Sequence, residues 1–192
     1  MRFNEQFSRN EQYIVPGGFF SSRDDIIIST LLGSCISVAL YDLSVPVGGL
    51  NHFMLPYSKT PETGDVAVSA KYGVNAMELL INDILKKDGL KRNLRAKVFG
   101  GSAVIEYKKE ATYNVPKMNI EFVFDFLDRE RIPVDSYSVG GTLARKIVFF
   151  PLTAKILMRF SRSSATGLAH REDAYTQKLI EEFRNDGRPI IF

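Results

Sequence analysis

The chain has 192 residues, 45% of them hydrophobic and 24% charged, which is the balance of one folded domain with a real core and not of a disordered, collagenous or membrane protein. Lys and Arg number 25 against 22 Asp and Glu, a net charge of +3, and so evenly mixed a surface argues against nucleic acid as a partner. With one cysteine, Cys35, and two histidines, His52 and His170, the chain can make neither an internal disulfide nor an ordinary Cys/His zinc cage, and a reducing compartment fits best.

Residues 1–12 are polar and read as a flexible N-terminus without the apolar run of a signal peptide. Nowhere do about 18 apolar residues follow one another as a membrane span requires, so a cytoplasmic protein without membrane insertion is expected. Pro16-Gly17-Gly18 punctuates the start of the fold, set near Tyr13. Within 25–32 the run Ile26-Ile27-Ile28 reads as a strand, Gly33-Ser34 as a tight turn, and Ile36, Val38 and Leu40 alternating with Ser37, Ala39 and Tyr41 as a further strand. Residues 42–46 form a turn and 47–55 a strand that Pro56 stops.

A Pro/Gly/Thr loop follows over 57–65. Ala76, Met77, Leu80, Ile81, Ile84 and Leu85 then repeat at helical spacing until Gly89. Residues 96–105 read as a strand broken by Gly100-Gly101, and Asn119 is placed to cap a second helix that ends before Pro133. The stretches 134–139, 146–150 and 155–160 are short β-type runs. From Ser161 the composition turns polar, and 161–192 reads as a C-terminal extension with helical spacing over 173–183. The expected fold is α+β, a single-domain layered sandwich over 13–160 of mostly antiparallel or mixed β-sheet with two main helices.

Gly33-Ser34-Cys35 sets a thiol just after a glycine turn, where the chain is expected to be exposed and backbone N–H groups can hold an oxyanion. A thiol with an ordinary pKa of about 8.5 needs a base within hydrogen-bond reach to act at neutral pH. His52 is the histidine inside the fold, one strand away from Cys35, whereas His170 belongs to the polar tail. Cys35 and His52 are therefore paired as nucleophile and base. The imidazole needs an orienting partner. Asn51, its neighbour along the strand, points to the opposite face, which leaves the hydroxyls Ser29 and Thr30 upstream of the cysteine turn. Gly100-Gly101-Ser102 and Gly140-Gly141-Thr142 lack phosphate-loop spacing and read as turns or bulges, with a place in the lining of the site as the expectation.

The strings Ser29-Thr30-Leu31-Leu32-Gly33-Ser34-Cys35 and Val47-Gly48-Gly49-Leu50-Asn51-His52-Phe53-Met54-Leu55-Pro56 together resemble the signature of the CheD family of chemoreceptor glutamine deamidases. Fainter likenesses continue in Phe99-Gly100-Gly101, in Asn119-Ile120 and in Gly140-Gly141 before Arg145. The family's Asp-Leu-Gly-Gly and Gly-Arg pairs are replaced here by Ser138-Val139-Gly140-Gly141 and Ala144-Arg145. The resemblance implies a cysteine-dependent hydrolase that converts selected receptor glutamines to glutamate and releases ammonia. It implies Cys35 as nucleophile, His52 as base and an upstream hydroxyl as third member, with the family pattern leaning to Ser29. Chemotaxis receptors would be the substrate, a CheC-type phosphatase a further partner, and no metal or organic cofactor is called for. The contrasting expectation is a non-catalytic adaptor on the same fold that docks on such a phosphatase or receptor.

Overall fold

The computed structural model describes residues 1–56, 71–104 and 114–161. In it ten strands and two helices form three layers. The strands are β1 (Arg2–Asn4), β2 (Arg9–Tyr13), β3 (Phe19–Ser22), β4 (Ile27–Leu32), β5 (Ile36–Asp42), β6 (Val47–Asn51), β7 (Arg95–Gly100), β8 (Val134–Val139), β9 (Ala144–Phe150) and β10 (Lys155–Ser161). The helices are α1 (Gly73–Leu85) and α2 (Val115–Arg129). One sheet has the order β1-β2-β4-β9-β10 and the other β3-β6-β5-β7-β8. Both are mixed: β2 runs parallel to β4 and β7 parallel to β8, while the other neighbours are antiparallel. The parallel β7–β8 pair is joined through α2, as a parallel connection requires.

The pattern along β5 explains the layering. Ile36, Val38 and Leu40 face the helices and pack with Ala76, Met77, Leu80 and Ile84 of α1 and Val123 and Leu127 of α2. Ala39 and Tyr41 face the first sheet and pack with Ile28 and Leu32 of β4 and Ile147 and Phe149 of β9. β5 is thus the central strand of its sheet and is buried on both sides, with each fully buried Leu or Ile contributing about 1.5–3 kcal/mol. Beside it, β6 is thinned by Gly48 and Gly49. A Cβ on Gly48 would lie 2.8 Å from the Phe149 ring and one on Gly49 2.6 Å from Leu80, so the glycines let one layer close on each face.

Several expectations change. Residues 1–12 are not loose: β1 and β2 extend the first sheet, and Glu11, only 1% exposed, accepts hydrogen bonds from Asn4 at 2.8 Å, Arg2 at 3.2 Å and the Ser29 hydroxyl. Asn119 does not cap the second helix. Asn114 does, its side chain accepting from the Lys117 N–H at 3.1 Å, and Pro116 occupies the first turn, where its missing N–H costs nothing. The strand expected over 96–105 ends at Gly100. The turn at Gly33 does not fold β5 back on β4 but carries the chain from one sheet to the other. The loop 57–65, the extension beyond Ser161 with its helical spacing over 173–183, and His170 lie outside the described residues.

Candidate active site

β6 ends at Asn51, and its path continues beside β5 through a bridge in which Ile36 and Phe53 exchange backbone hydrogen bonds of 3.1 and 3.0 Å. This bridge keeps the register in which Ala39 stands opposite Leu50, so Cys35 faces Met54 and His52 faces Ser37 across it. Cys35 and His52 consequently flank the Ile36–Phe53 pair on one face, as diagonal neighbours whose Cα atoms such a register sets about 7–8 Å apart. That face is the one between the sheets: Cys35 and Met54 belong to the inter-sheet core, while Ile36 and Phe53 belong to the helix-side core. On its other side the backbone of His52 is held by Gly17 and Gly18, with hydrogen bonds of 2.7 and 2.9 Å. The Cys35 thiol, expected on an exposed turn, is instead fully buried, because the turn passes between the sheets.

Thr30 and Ser29 divide as alternation along β4 requires. Thr30 points into the space between the sheets and its Oγ1 lies 2.8 Å from His52 Nδ1. Ser29 points away and bonds Glu11. The hydroxyl brought to the imidazole is therefore Thr30 and not Ser29, the one towards which the family pattern leaned. Asn51 faces the helices: its amide donates to the Ala76 carbonyl at 3.3 Å and its oxygen accepts from the Val38 N–H at 2.8 Å.

The network around Thr30 fixes the tautomer of His52. Thr30 Oγ1 donates its one proton to the Ile14 carbonyl at 2.8 Å, so towards the ring it can only accept. Nδ1 of His52 then carries the hydrogen, and Nε2 presents a lone pair. Burial pushes the pKa of His52 down to about 3, opposed only in part by the Ile14 carbonyl, so the ring is neutral near pH 7. A neutral imidazole that carries a lone pair on Nε2 is the form that can take a proton from a thiol.

The cysteine turn is gripped through its carbonyls. Gly33 accepts from the Ser102 N–H and Cys35 from the Gly101 N–H, both at 2.8 Å. Gly100 has a φ of +115°, and a Cβ there would lie 2.1 Å from the Cys35 oxygen, so only glycine lets β7 approach the turn. Between these two carbonyls, that of Ser34 accepts from the side chain of Asn119 at 3.2 Å. Behind Gly100–Ser102 the buried Arg145 guanidinium donates to the Gly100 carbonyl at 3.1 Å, to Ser138 at 3.2 Å, and to Ser102 and the Gly140 carbonyl, and burial pushes its pKa down. The Gly-Gly segments are thereby tied to the site, as are Asn119 and Arg145, for which the sequence reading had no such role. Asn119 left one signal: it shares the buried stripe of α2 with Val115, Phe122 and Val123. Among the described residues no cluster of three or more His, Cys, Asp or Glu side chains is arranged to hold a metal ion, and no helix is long and apolar enough to cross a membrane.

The site thus belongs to a class in which a neutral histidine with a fixed tautomer shares a buried face with a cysteine inside a β-sandwich. Comparison with known proteins narrows this. The family model described as CheD chemotactic sensory transduction matches residues 54–160. The chain is 39% identical to the probable chemoreceptor glutamine deamidase CheD of Herminiimonas arsenicoxydans over 92% of its length and 87% of the relative's. It is 43% identical to the probable chemoreceptor glutamine deamidase CheD 1 of Albidiferax ferrireducens, covering 98% and 78%, and 39% identical to CheD 2 of Burkholderia thailandensis, covering 99% and 97%. Among solved structures, Neisseria meningitidis protein NMB0706 overlaps 72% of this chain and 65% of its own at 12% identity and a TM-score of 0.42. The chain belongs to the CheD family.

Proposed function

We propose that this protein is a chemoreceptor glutamine deamidase of the cytoplasm in which Cys35 is the nucleophile, His52 the general base and acid, and Thr30 the residue that orients His52. The reading is carried by the hydrogen bond from His52 Nδ1–H to Thr30 Oγ1, whose direction the Ile14 carbonyl sets, on the face that also holds Cys35. The relatives' names supply the reaction, and a lone thiol suits the reducing cytoplasm.

In the reaction His52 Nε2 takes the Sγ proton as Sγ attacks the side-chain amide carbon of a receptor glutamine. The carbonyl π electrons move to oxygen, where backbone N–H groups of the cysteine turn stabilise the charge. His52 returns the proton to the amide nitrogen, the C–N bond breaks, and ammonia leaves a Cys35 thioester. Water then gives a proton to Nε2 as it attacks the same carbon, the C–S bond breaks, and glutamate and the thiol are released. One water is consumed and one ammonia formed. Because burial disfavours the imidazolium, His52 rests as the neutral ring, and its charge appears only beside the oxyanion. With thiol and ring both fully buried, substrate reaches them only after local opening.

The test is incubation with chemoreceptors from the same organism, mapping glutamine-to-glutamate changes by mass spectrometry while ammonia is assayed. The expected result is conversion of particular glutamines with one ammonia per site. Absence of conversion in every receptor by the folded protein overturns the reading in favour of a non-catalytic adaptor.

A further inference from the structure

Asn119 is fully buried on the second turn of α2, and its side-chain amide donates twice: to the Ser34 carbonyl at 3.2 Å and to the Met54 carbonyl at 2.9 Å. Ser34 immediately precedes Cys35, and Met54 follows His52 by two residues. The two acceptors therefore belong to the two separate segments whose relative placement decides whether Sγ meets Nε2. We propose that Asn119 is a positioning residue that locks the cysteine turn to the histidine segment, so that the alignment of the pair depends on a side chain of α2. This rests on the Cys35–His52 reading above.

The chemistry of the side chain suits the task. A carboxamide has two N–H bonds at a fixed angle on one nitrogen, so a single Asn spans two carbonyls and sets both their separation and their orientation. Asp donates neither bond, Ser at most one, and a hydrophobic residue, which the surrounding stripe of Val115, Phe122 and Val123 would accommodate, none. The turn needs such a hold. Its Gly33 and Cys35 carbonyls are fixed by backbone N–H groups of Ser102 and Gly101, but the Ser34 carbonyl between them is held by Asn119. The peptide is planar and trans, so fixing this oxygen towards α2 turns the Cys35 N–H to the opposite side and sets the plane from which the cysteine side chain departs.

The proposal differs from simple satisfaction of two buried carbonyls in what it says about coupling. Alkylation of Cys35 by iodoacetamide near neutral pH is measured in the full-length wild type, Asn119→Ala, His52→Ala and the double variant, with folding checked by circular dichroism. His52→Ala should slow alkylation in the wild type, whereas in the Asn119→Ala background the same change should have an effect of no more than about twofold, because interacting groups are non-additive. Deamidation by Asn119→Ala should show kcat lowered about 10–100-fold with KM within about threefold, the size of loss that a small misplacement of reacting groups causes. An equal effect of His52→Ala in both backgrounds overturns the proposal and leaves the reading of the pair standing. No effect of His52→Ala in the wild type refutes the pair, and the proposal with it. If Asn119→Ala does not fold, Asn119→Ser decides: its single O–H bridges one carbonyl at most, so partial loss of the coupling is expected and full coupling overturns the proposal.

Discussion

Burial of His52 makes a prediction about stability that is independent of substrate. The ring is pushed from its ordinary pKa of 6.5 down to about 3 by desolvation between the sheets. Below about pH 6.5 the unfolded chain binds a proton at this position that the native protein does not, so stability falls as the pH is lowered, by about 1.4 kcal/mol per unit. Above about pH 7 both states carry a neutral ring and the slope from this residue vanishes. Between about pH 7 and about pH 5 the loss amounts to about 2 kcal/mol, a sizeable part of a total stability of about 5–15 kcal/mol. His52→Gln removes the titration while keeping a side chain of comparable reach. Glu11, Asp42, Asp83 and Asp135 are held below their usual carboxylate range, and they too release stability in acid, but they are shared by both proteins and cancel in the difference. Urea unfolding of the two proteins, followed by circular dichroism over this range, should show the wild type losing about 2 kcal/mol relative to His52→Gln. Parallel curves would show that the native imidazole takes up the proton, and the neutral-base argument would fall.

Thr30→Val keeps the shape at the His52 contact but removes the acceptor for Nδ1–H, and should lower kcat about 100-fold, the scale of general acid–base assistance; Ser29→Ala should leave kcat within about twofold while costing about 1–3 kcal/mol through the buried Glu11 it deprives of a donor. Comparable kinetic losses in both would contradict the facing of the two hydroxyls. Gly100→Ala places a methyl 2.1 Å from the Cys35 carbonyl at a φ of +115°, and thermal unfolding should report a loss of at least about 1–3 kcal/mol from the backbone strain alone, with Cys35 alkylation altered as the turn shifts; an unchanged melting temperature would refute the close approach.

Legibility of the fold followed the strength of local patterning. The helical repeat of Ala76, Met77, Leu80, Ile81 and Ile84 and the alternation in β5 identify elements because each has a side that must be buried. The same alternation understates β5: Ala39 and Tyr41 read as its weaker face, yet they meet the other sheet, and no local pattern announces a second layer. β1 and β2 escaped detection because polar residues form them at the margin of a sheet, and the burial of Glu11 depends on Arg2, Asn4 and Ser29, partners that only the pairing brings together. At the site, the sequence order alone puts Cys35 and His52 near each other, since Cys35 immediately precedes β5 and His52 immediately follows its neighbour β6. Thr30 could not be chosen over Ser29, because the turn at Gly33 changes sheets and breaks the count of alternating faces. Asn119 stands 84 positions from Cys35 and acts through backbone carbonyls, which have no sequence signature.

The most direct test of the account is acid quenching of the reaction with a receptor, followed by mass spectrometry of the protein and of the receptor glutamines, in the wild type and in a folded Cys35→Ala variant. The account predicts a receptor-derived acyl group on Cys35 and glutamate formation by the wild type, and neither of these by Cys35→Ala. Receptor glutamines converted by the Cys35→Ala protein at the wild-type rate would contradict it.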